Sequence, residues 1–155
     1  MSTSDFGVNI AACRESLLAR ERKARAEREA RRLTALKAAR QAVLECVPGY
    51  PSVRRAYLFG SVVRPGAFRR DSDVDVAVEG IGVAEYFALW RDLERAASDW
   101  TIDLRDVTRT SLFAERVRAT GLLIYERDDA GPRIISLCPR DGAAKFGRAE
   151  PIRRL

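Results

Sequence analysis

The sequence predicts an α/β fold: a small mixed β-sheet of about four strands with helices mainly on one face, preceded by a long N-terminal helix. Three observations predict this fold. Residues 10–47 contain neither proline nor glycine and are rich in good helix formers. Residues 73–79 alternate strictly in polarity, with the period of a strand that has one buried face. Around that strand, short apolar runs alternate along the chain with amphipathic stretches.

The predicted N-terminal helix has two unlike halves. Residues 20–32 are almost all charged, with glutamates four residues ahead of arginines, an order that supports a solvated helix. The apolar residues of the second half fall near one face: Leu33, Leu36, Val43 and Val47. We expect this half to pack on the sheet and the first half to project or to contact a partner. Pro48 and Gly49 then end the helix.

The remaining elements follow in order along the chain. Strands are predicted at residues 53–59, 73–79, 100–107 and 122–125, and helices at residues 83–99 and 111–120. In the second strand Val74, Val76 and Val78 share one face, and Asp73, Asp75 and Ala77 share the other. The aromatic residues of this region are expected in the core rather than on a base-stacking surface: Tyr86, Phe87, Trp90, Trp100 and Tyr125.

The length of 155 residues suits one domain with a real core and is too short for two ordinary ones. We divide the chain into a charged helical extension at 1–47, a core at 48–127 and a tail at 128–155. The tail contains several prolines and glycines and one short apolar run at 133–138. We therefore expect it to be partly ordered at best, or ordered by an interface.

Composition narrows the classes of function. The net charge of +6 favours polyanionic partners such as nucleotides, RNA or an acidic protein, although much of the excess lies in one helix and the tail. The absence of histidine excludes Ser-His-Asp and Cys-His mechanisms. Three widely spaced cysteines without a CxxC pair argue against structural zinc and against a disulfide scaffold. With no apolar stretch of about 18 residues and no signal-peptide pattern, we expect a cytoplasmic protein without membrane association.

An acidic motif lies on the predicted strand at 73–79. Asp73 and Asp75 point to the same face, with side chains about 6–7 Å apart along the strand, which suits capture of one or two divalent cations. Asp103, in the next predicted strand, offers a third carboxylate. Asp106 lies at the opposite parity and is the weaker candidate. Three carboxylates on adjacent strands would repel one another strongly without a counter-ion, so a metal ion is the natural resolution.

A glycine-serine turn precedes this motif. The predicted strand at 53–59 ends in Gly60-Ser61, where backbone N–H groups and a hydroxyl come together as in many phosphate sites. Arg64, or Arg69 and Arg70, would add charge-assisted contacts. For Arg69 and Arg70 a solvated loop is equally consistent with the sequence. A phosphate-holding turn followed by three carboxylates is the layout expected for in-line phosphoryl or nucleotidyl transfer with two metal ions.

The segment LFGSVVRPGAFRRDSDVDVAV, with IDLRDV and GLLIYER downstream, resembles the signature of the DNA polymerase β-type nucleotidyltransferase superfamily. It is most similar to the minimal nucleotidyltransferase branch, whose members act as MNT-type antitoxins partnered with HEPN-domain toxins. The resemblance runs from residue 54 to residue 127 and implies that family's fold for the core at 48–127. It also implies roles for six residues: Gly60, Ser61 and Arg64 toward the triphosphate, and Asp73, Asp75 and Asp103 as catalytic ligands of two Mg²⁺ ions.

By the same resemblance, the reaction is Mg²⁺-dependent transfer of AMP from ATP to a hydroxyl of a HEPN-type toxin, within a hetero-oligomer. Asp103 would also assist deprotonation of the acceptor hydroxyl. Two alternatives stay open: a small-molecule acceptor such as an aminoglycoside, and a non-catalytic module that neutralises a toxin by contact. Nucleic-acid binding through residues 20–32 is less favoured, because this segment lacks interleaved aromatics and carries compensating glutamates.

Overall fold

The structure is a computed structural model that describes residues 10–128, 131–134 and 150–151. The helices are α1 (Ile10–Cys46), α2 (Val83–Ala96) and α3 (Leu112–Thr120). The strands are β1 (Arg55–Phe59), β2 (Val74–Glu79), β3 (Ile102–Asp106), β4 (Leu122–Asp128), β5 (Gly131–Ile134) and β6 (Glu150–Pro151). The predicted fold class and every predicted helix and strand are confirmed. Most of the apolar run at 133–138, including Cys138, lies outside the described residues.

All described strands form one six-stranded sheet in the order β3-β2-β1-β4-β5-β6. Strands β2 and β3 are parallel and every other neighbouring pair is antiparallel, so the sheet is mixed, as predicted. Helix α2 connects the parallel pair, which needs a crossover of this kind. Strands β5 and β6 extend the sheet beyond the expected four strands, because the backbone continues the antiparallel ladder from β4.

The main core lies between the sheet and helices α1 and α2. It contains the three valines of β2 that were predicted to share one face, and the fully buried Tyr125. A smaller apolar cluster lies on the opposite face, where Ala114 and Val117 of α3 cover Tyr57 and Ala77. The helices are therefore mainly on one face, and the short α3 alone packs on the other.

Two packing expectations were wrong. Leu33 is 51% exposed and Phe87 is 60% exposed, although both were expected to pack inside. Each lies two residues before a buried neighbour, Ala35 and Leu89 respectively, and therefore about 200° away around its helix. The face of α1 that meets the core consists mostly of alanines instead: Ala35, Ala39, Ala42 and Val43. Small side chains at these positions let α1 lie close to the sheet.

The outer edge of β3 is covered by two side chains from α2. The amides of residues flanking Ile102 and Leu104 pair with β2, so the carbonyl groups of Ile102 and Leu104 point away from the sheet. The indole N–H of Trp90 donates to the carbonyl oxygen of Ile102 at 2.9 Å, and the hydroxyl of Tyr86 donates to that of Leu104. These two aromatic residues thus satisfy the outward carbonyls of an edge strand.

The end of the charged half of α1 is anchored rather than solvated. Arg32 is buried, and its guanidinium donates to the carbonyl oxygen of Val62 and to the carboxylate of Glu29, both at 2.7 Å. Glu29 in turn accepts a hydrogen bond from the backbone N–H of Gly66 at 3.3 Å. The pair therefore ties α1 to the loop that follows β1.

Among the described residues, no helix is both long and apolar enough to span a membrane.

The same loop is held from inside by an aromatic plug. Phe68 is buried, although two arginines follow it directly, and its ring centroid lies 5.9 Å from that of Trp100. Arg31 lies over the other ring of this pair, 4.7 Å from the centroid of Trp100, and donates to the carbonyl oxygen of Arg70 at 3.1 Å. The arginine-rich loop at residues 62–72 is therefore packed against the rest of the domain through Phe68 and the backbone of Arg70.

We expect Arg32→Ala to lower the free energy of unfolding by about 2–3 kcal/mol, because hydrogen bonds to charged groups contribute about 1.5–3 kcal/mol each and two partners lose their donor. Urea denaturation would measure this change. Arg28→Ala, an exposed site one turn earlier, is the matched control and should change stability by less than about 0.5 kcal/mol.

The stability difference between wild type and Arg32→Ala should depend on pH, and the pKa of Glu29 determines in which direction. The hydrogen bond from Arg32 holds the pKa of Glu29 below its usual value of 4.5. A carboxylate with a lowered pKa stabilises the folded state above its ordinary pKa and loses that contribution as the pH falls. The gap between wild type and Arg32→Ala should therefore narrow in acid. An unchanged gap would show that the Glu29–Arg32 pair is not part of the anchor.

Candidate active site

Three neighbouring strands place their side chains in one row across the sheet. Phe59 of β1 pairs with Asp75 of β2, and Asp75 pairs with Asp103 of β3. Residues paired directly across a ladder project from the same face. The row therefore consists of the ring of Phe59 and the carboxylates of Asp75 and Asp103. It lies on the face of the sheet that α3 partly covers.

The third predicted carboxylate joins this row at its end. Asp73 is exposed and immediately precedes β2, whereas Asp75 and Asp103 are half-buried. Burial raises the pKa of Asp75, and the negative charges of Asp103 and Asp73 raise it further. The structure thus brings the three predicted acidic residues close enough for the charges of Asp73 and Asp103 to act on Asp75. Asp106 points to the other face of β3, as its parity predicted.

The Gly60-Ser61 turn packs directly against this carboxylate row. Gly60 has a φ of 71°, and a Cβ at this position would lie 2.0 Å from Oδ2 of Asp75. Only glycine fits both the backbone conformation and the close approach. The backbone N–H of Ser61 donates a hydrogen bond to the carboxylate of Asp75, which partly offsets the rise of its pKa. The predicted phosphate-holding turn and the predicted metal ligands therefore meet at one end of the sheet.

The loop arginines are separated by the fold. Arg64 donates from Nε to the carbonyl oxygen of Gly60 at 3.2 Å, which places its guanidinium at the turn. Arg69 and Arg70 are exposed, and the carbonyl oxygen of Arg70 accepts a hydrogen bond from Arg31 of α1 at 3.1 Å. Of the three arginines considered from the sequence, Arg64 is the one beside Gly60.

Sequence reasoning missed Arg105. It lies two residues after Asp103 on β3 and so projects from the same face. Its guanidinium donates to Oδ2 of Asp103 from Nη2 at 2.8 Å and from Nε at 3.1 Å. These contacts raise the pKa of Arg105. The signal was present in the sequence, because the parity that selected Asp103 in IDLRDV also selects Arg105.

The chemistry of the row suits a hard divalent cation, which prefers carboxylate oxygens. Two of the three carboxylates are half-buried, and the negative charges of Asp103 and Asp73 add to the burial that raises the pKa of Asp75. Across the described part of the chain, however, no three acidic, cysteine or histidine side chains stand as ligands around one point. Arg105 now neutralises Asp103. Both contacts from Arg105 use Oδ2 of Asp103, so a metal ion held jointly with the other carboxylates would be bound by Oδ1.

Comparison with known proteins gives one family match. A family model described as "Polymerase beta, Nucleotidyltransferase" matches residues 41–130. No curated protein matches the chain.

Three solved structures illustrate the similarity to proteins of known architecture. A chain of a toxin–antitoxin with AMP-PNP is 26% identical, over 54% of this chain and 70% of that one, with a TM-score of 0.46. The toxin–antitoxin MntA–HepT is 22% identical over 56% and 69%, with a TM-score of 0.42. A tri-AMPylated Shewanella oneidensis HEPN toxin in complex with MNT antitoxin is 22% identical over 57% and 70%, with a TM-score of 0.43.

Proposed function

Because the chain belongs to the polymerase beta nucleotidyltransferase family, we propose that it transfers a nucleoside monophosphate, AMP from ATP, to a hydroxyl group and releases pyrophosphate. The observation that carries this proposal is the packing of the Gly60-Ser61 turn against Asp75, one strand from Asp103. A phosphate-holding turn in contact with paired carboxylates is what transfer of a phosphorus centre requires.

In this proposal the turn holds the triphosphate. The hydroxyl of Ser61 would donate to a phosphate oxygen, Gly60 leaves room for the phosphate to approach the backbone, and Arg64 adds a charge-assisted contact. Asp73, Asp75 and Asp103 would hold two Mg²⁺ ions, which supply neutralisation of the phosphate charge and of the attacking oxygen. The three carboxylates would fix the position of the positive metal charge relative to the turn.

The reaction is a single in-line displacement. The acceptor oxygen forms a bond to the α-phosphorus, and the bond from the α-phosphorus to the bridging oxygen breaks, so pyrophosphate leaves with that electron pair. The proton of the acceptor hydroxyl passes to the carboxylate of Asp103. Asp103 pairs with Asp75 across the β2–β3 ladder, so its carboxylate lies beside the other two acidic residues, within the row that would receive the acceptor.

We propose a HEPN-type toxin as the acceptor, with this chain as its antitoxin in a hetero-oligomer. The motif from the Gly60-Ser61 turn to Asp75 resembles that branch of the family. Support from the fold comes from α1, in which Ile10, Leu17 and Leu18 are 78%, 59% and 45% exposed. They belong to a helical half that lies ahead of the buried Arg32, away from the core. This half offers an exposed apolar contact surface for a protein partner.

The test is incubation of the protein with Mg²⁺ and ATP labelled at the α-phosphate, with and without the product of the neighbouring gene. We expect label on the partner with the wild type and none with Asp73→Ala/Asp75→Ala. ATP labelled at the γ-phosphate is the matched control and should label nothing, since that phosphate leaves in pyrophosphate.

The other outcomes separate the alternatives. Tight binding of the partner by both forms, with no label on it, would replace the enzyme by a binding module. Label on an added aminoglycoside but not on the protein partner would instead identify a small-molecule acceptor. Label transferred from the γ-phosphate would contradict nucleotidyl transfer altogether.

A further inference from the structure

A cleft of about 380 Å³ opens beside the Gly60-Ser61 turn. Phe59, Val63, Phe113 and Val117 form its apolar part, and Arg64 and Arg116 form its charged part. This volume and this mixture of apolar walls with a few polar groups are usual for sites that bind small organic ligands. The roles proposed above for the carboxylates and the turn leave the cleft without a function.

The position of the cleft relates it to the carboxylate row. Phe59 is the direct neighbour of Asp75 across the β1–β2 ladder, about one strand spacing away, roughly 4.8 Å between backbones. Gly60 and Arg64 line the cleft and also form the turn. On the other side of Asp75 the row continues into Asp103 and Arg105, which are charged. For a nucleotide with its phosphates on the turn, the cleft between β1 and α3 offers an apolar surface directly beside the turn.

The chemistry of the cleft favours a flat aromatic ligand. The rings of Phe59 and Phe113 meet edge to face, with centroids 5.6 Å apart and an interplanar angle of 77°. Phe113 remains 46% exposed, so part of its ring is free to stack on a ligand. Arg116 is exposed at the rim and can stack or donate hydrogen bonds.

The cleft is poor in groups that distinguish one base from another. Among the residues that the structure describes, those that line the cleft include no carboxylate and no side-chain amide. The hydroxyl of Thr120 is already engaged as a donor to the carbonyl oxygen of Arg116 at 2.8 Å. Stacking on an aromatic ring tolerates every base, because each has a π-face. Recognition here therefore depends on ring area more than on hydrogen-bond pattern.

We propose that this cleft is the nucleobase site, that Phe113 binds the base by stacking, and that adenine and guanine nucleotides bind with similar affinity. The inference depends on the proposed function, since only a nucleotide on the Gly60-Ser61 turn would bring a base to Phe113. It adds two points to the proposed function: which residue contacts the base, and that nucleotides with either purine base can bind.

Calorimetric titration with non-hydrolysable ATP and GTP analogues tests the proposal. Loss of one base–aromatic stack weakens binding by about tenfold to a hundredfold, which is the effect expected for Phe113→Ala. Phe113→Tyr keeps the ring and should keep the affinity. Leu112→Ala, the adjacent residue at 87% exposure and outside the cleft, is the matched control and should bind as the wild type does.

A ligand without a base separates stacking from phosphate binding. Inorganic tripolyphosphate should bind the wild type and Phe113→Ala equally, because both retain the turn. Equal affinity of these two proteins for the ATP analogue would overturn the nucleobase site and leave the proposed function standing. A preference above a hundredfold for one purine would overturn the breadth of nucleotide choice. Failure of the wild type to bind either analogue would instead contradict the proposed function, and this inference with it.

Discussion

Asp75→Asn is expected to abolish nucleotidyl transfer and, at the same time, to stabilise the metal-free protein. Asparagine has the size of aspartate and can still accept the hydrogen bond from Ser61, so the turn should keep its shape. It cannot supply the negative charge that positions a metal ion. We expect the rate of label transfer to fall by at least about a thousandfold, which corresponds to roughly 4 kcal/mol of lost transition-state stabilisation.

The gain in stability follows from the raised pKa of Asp75, which burial and two neighbouring carboxylates cause. A carboxyl group with a raised pKa destabilises the folded state once the pH exceeds its folded pKa, and has no such effect well below its ordinary pKa of 3.8. Thermal unfolding in the presence of a chelator should therefore show a higher Tm for Asp75→Asn at neutral pH. The difference should vanish in acid.

Asp106→Asn is the control for both effects. Asp106 lies on β3 but faces away from the row, and its carboxylate accepts from the backbone N–H of Thr108 at 2.8 Å. We expect this variant to retain transfer activity. If Asp106→Asn lost as much activity as Asp75→Asn, the row of Asp75 and Asp103 would not be the reaction centre.

Gly60→Ala is expected to give the second largest effect. Alanine at a φ of 71° costs about 1–2 kcal/mol in backbone strain alone. Its Cβ would also lie 2.0 Å from Oδ2 of Asp75, so either the turn or the carboxylate must move. A displacement of about 1 Å at a reaction centre costs about a hundredfold in rate. We expect a loss of at least that size in the α-label assay.

Gly66→Ala separates the two causes. Gly66 has a φ of 75°, close to that of Gly60, but a Cβ there meets nothing within 4 Å. Both variants should lose stability in urea denaturation through backbone strain, Gly60→Ala by more because of its contact with Asp75, and only Gly60→Ala should lose activity. Comparable activity of the two variants would mean that contact between the turn and Asp75 does not matter for transfer.

Periodicity and parity in the sequence predicted the elements and the carboxylate row correctly. Alternation in DVDVAVE fixed which side of β2 faces the core, and the same counting placed Asp103 beside Asp75. These inferences succeed because they depend on local backbone geometry, which a short segment determines by itself. The division into segments at 1–47, 48–127 and 128–155 stays a prediction, as do the functional roles assigned to the row and the turn.

Features that depend on distant partners were not predictable in the same way. Nothing in RERKARAEREARR distinguishes Arg32 from its neighbours, because its burial depends on the carbonyl oxygen of Val62, thirty residues later in the chain. The cleft likewise needs Phe59 and Phe113, which only the packing of α3 on β1 brings together. Strands β5 and β6 depend on backbone pairing, to which side-chain hydropathy is a poor guide.

Because Tyr86 and Trp90 cover the outer edge of β3, a further strand can be added to the described sheet at its other edge only. An uncovered edge strand invites another chain to add to the sheet, which is a common route to aggregation. At β3 a visiting strand would have to displace both aromatic donors from the outward carbonyls of Ile102 and Leu104. Extension of the described sheet by strand addition is therefore confined to the opposite edge, at β6. The edge of the sheet next to Asp103 therefore cannot take a further strand without the loss of both hydrogen bonds.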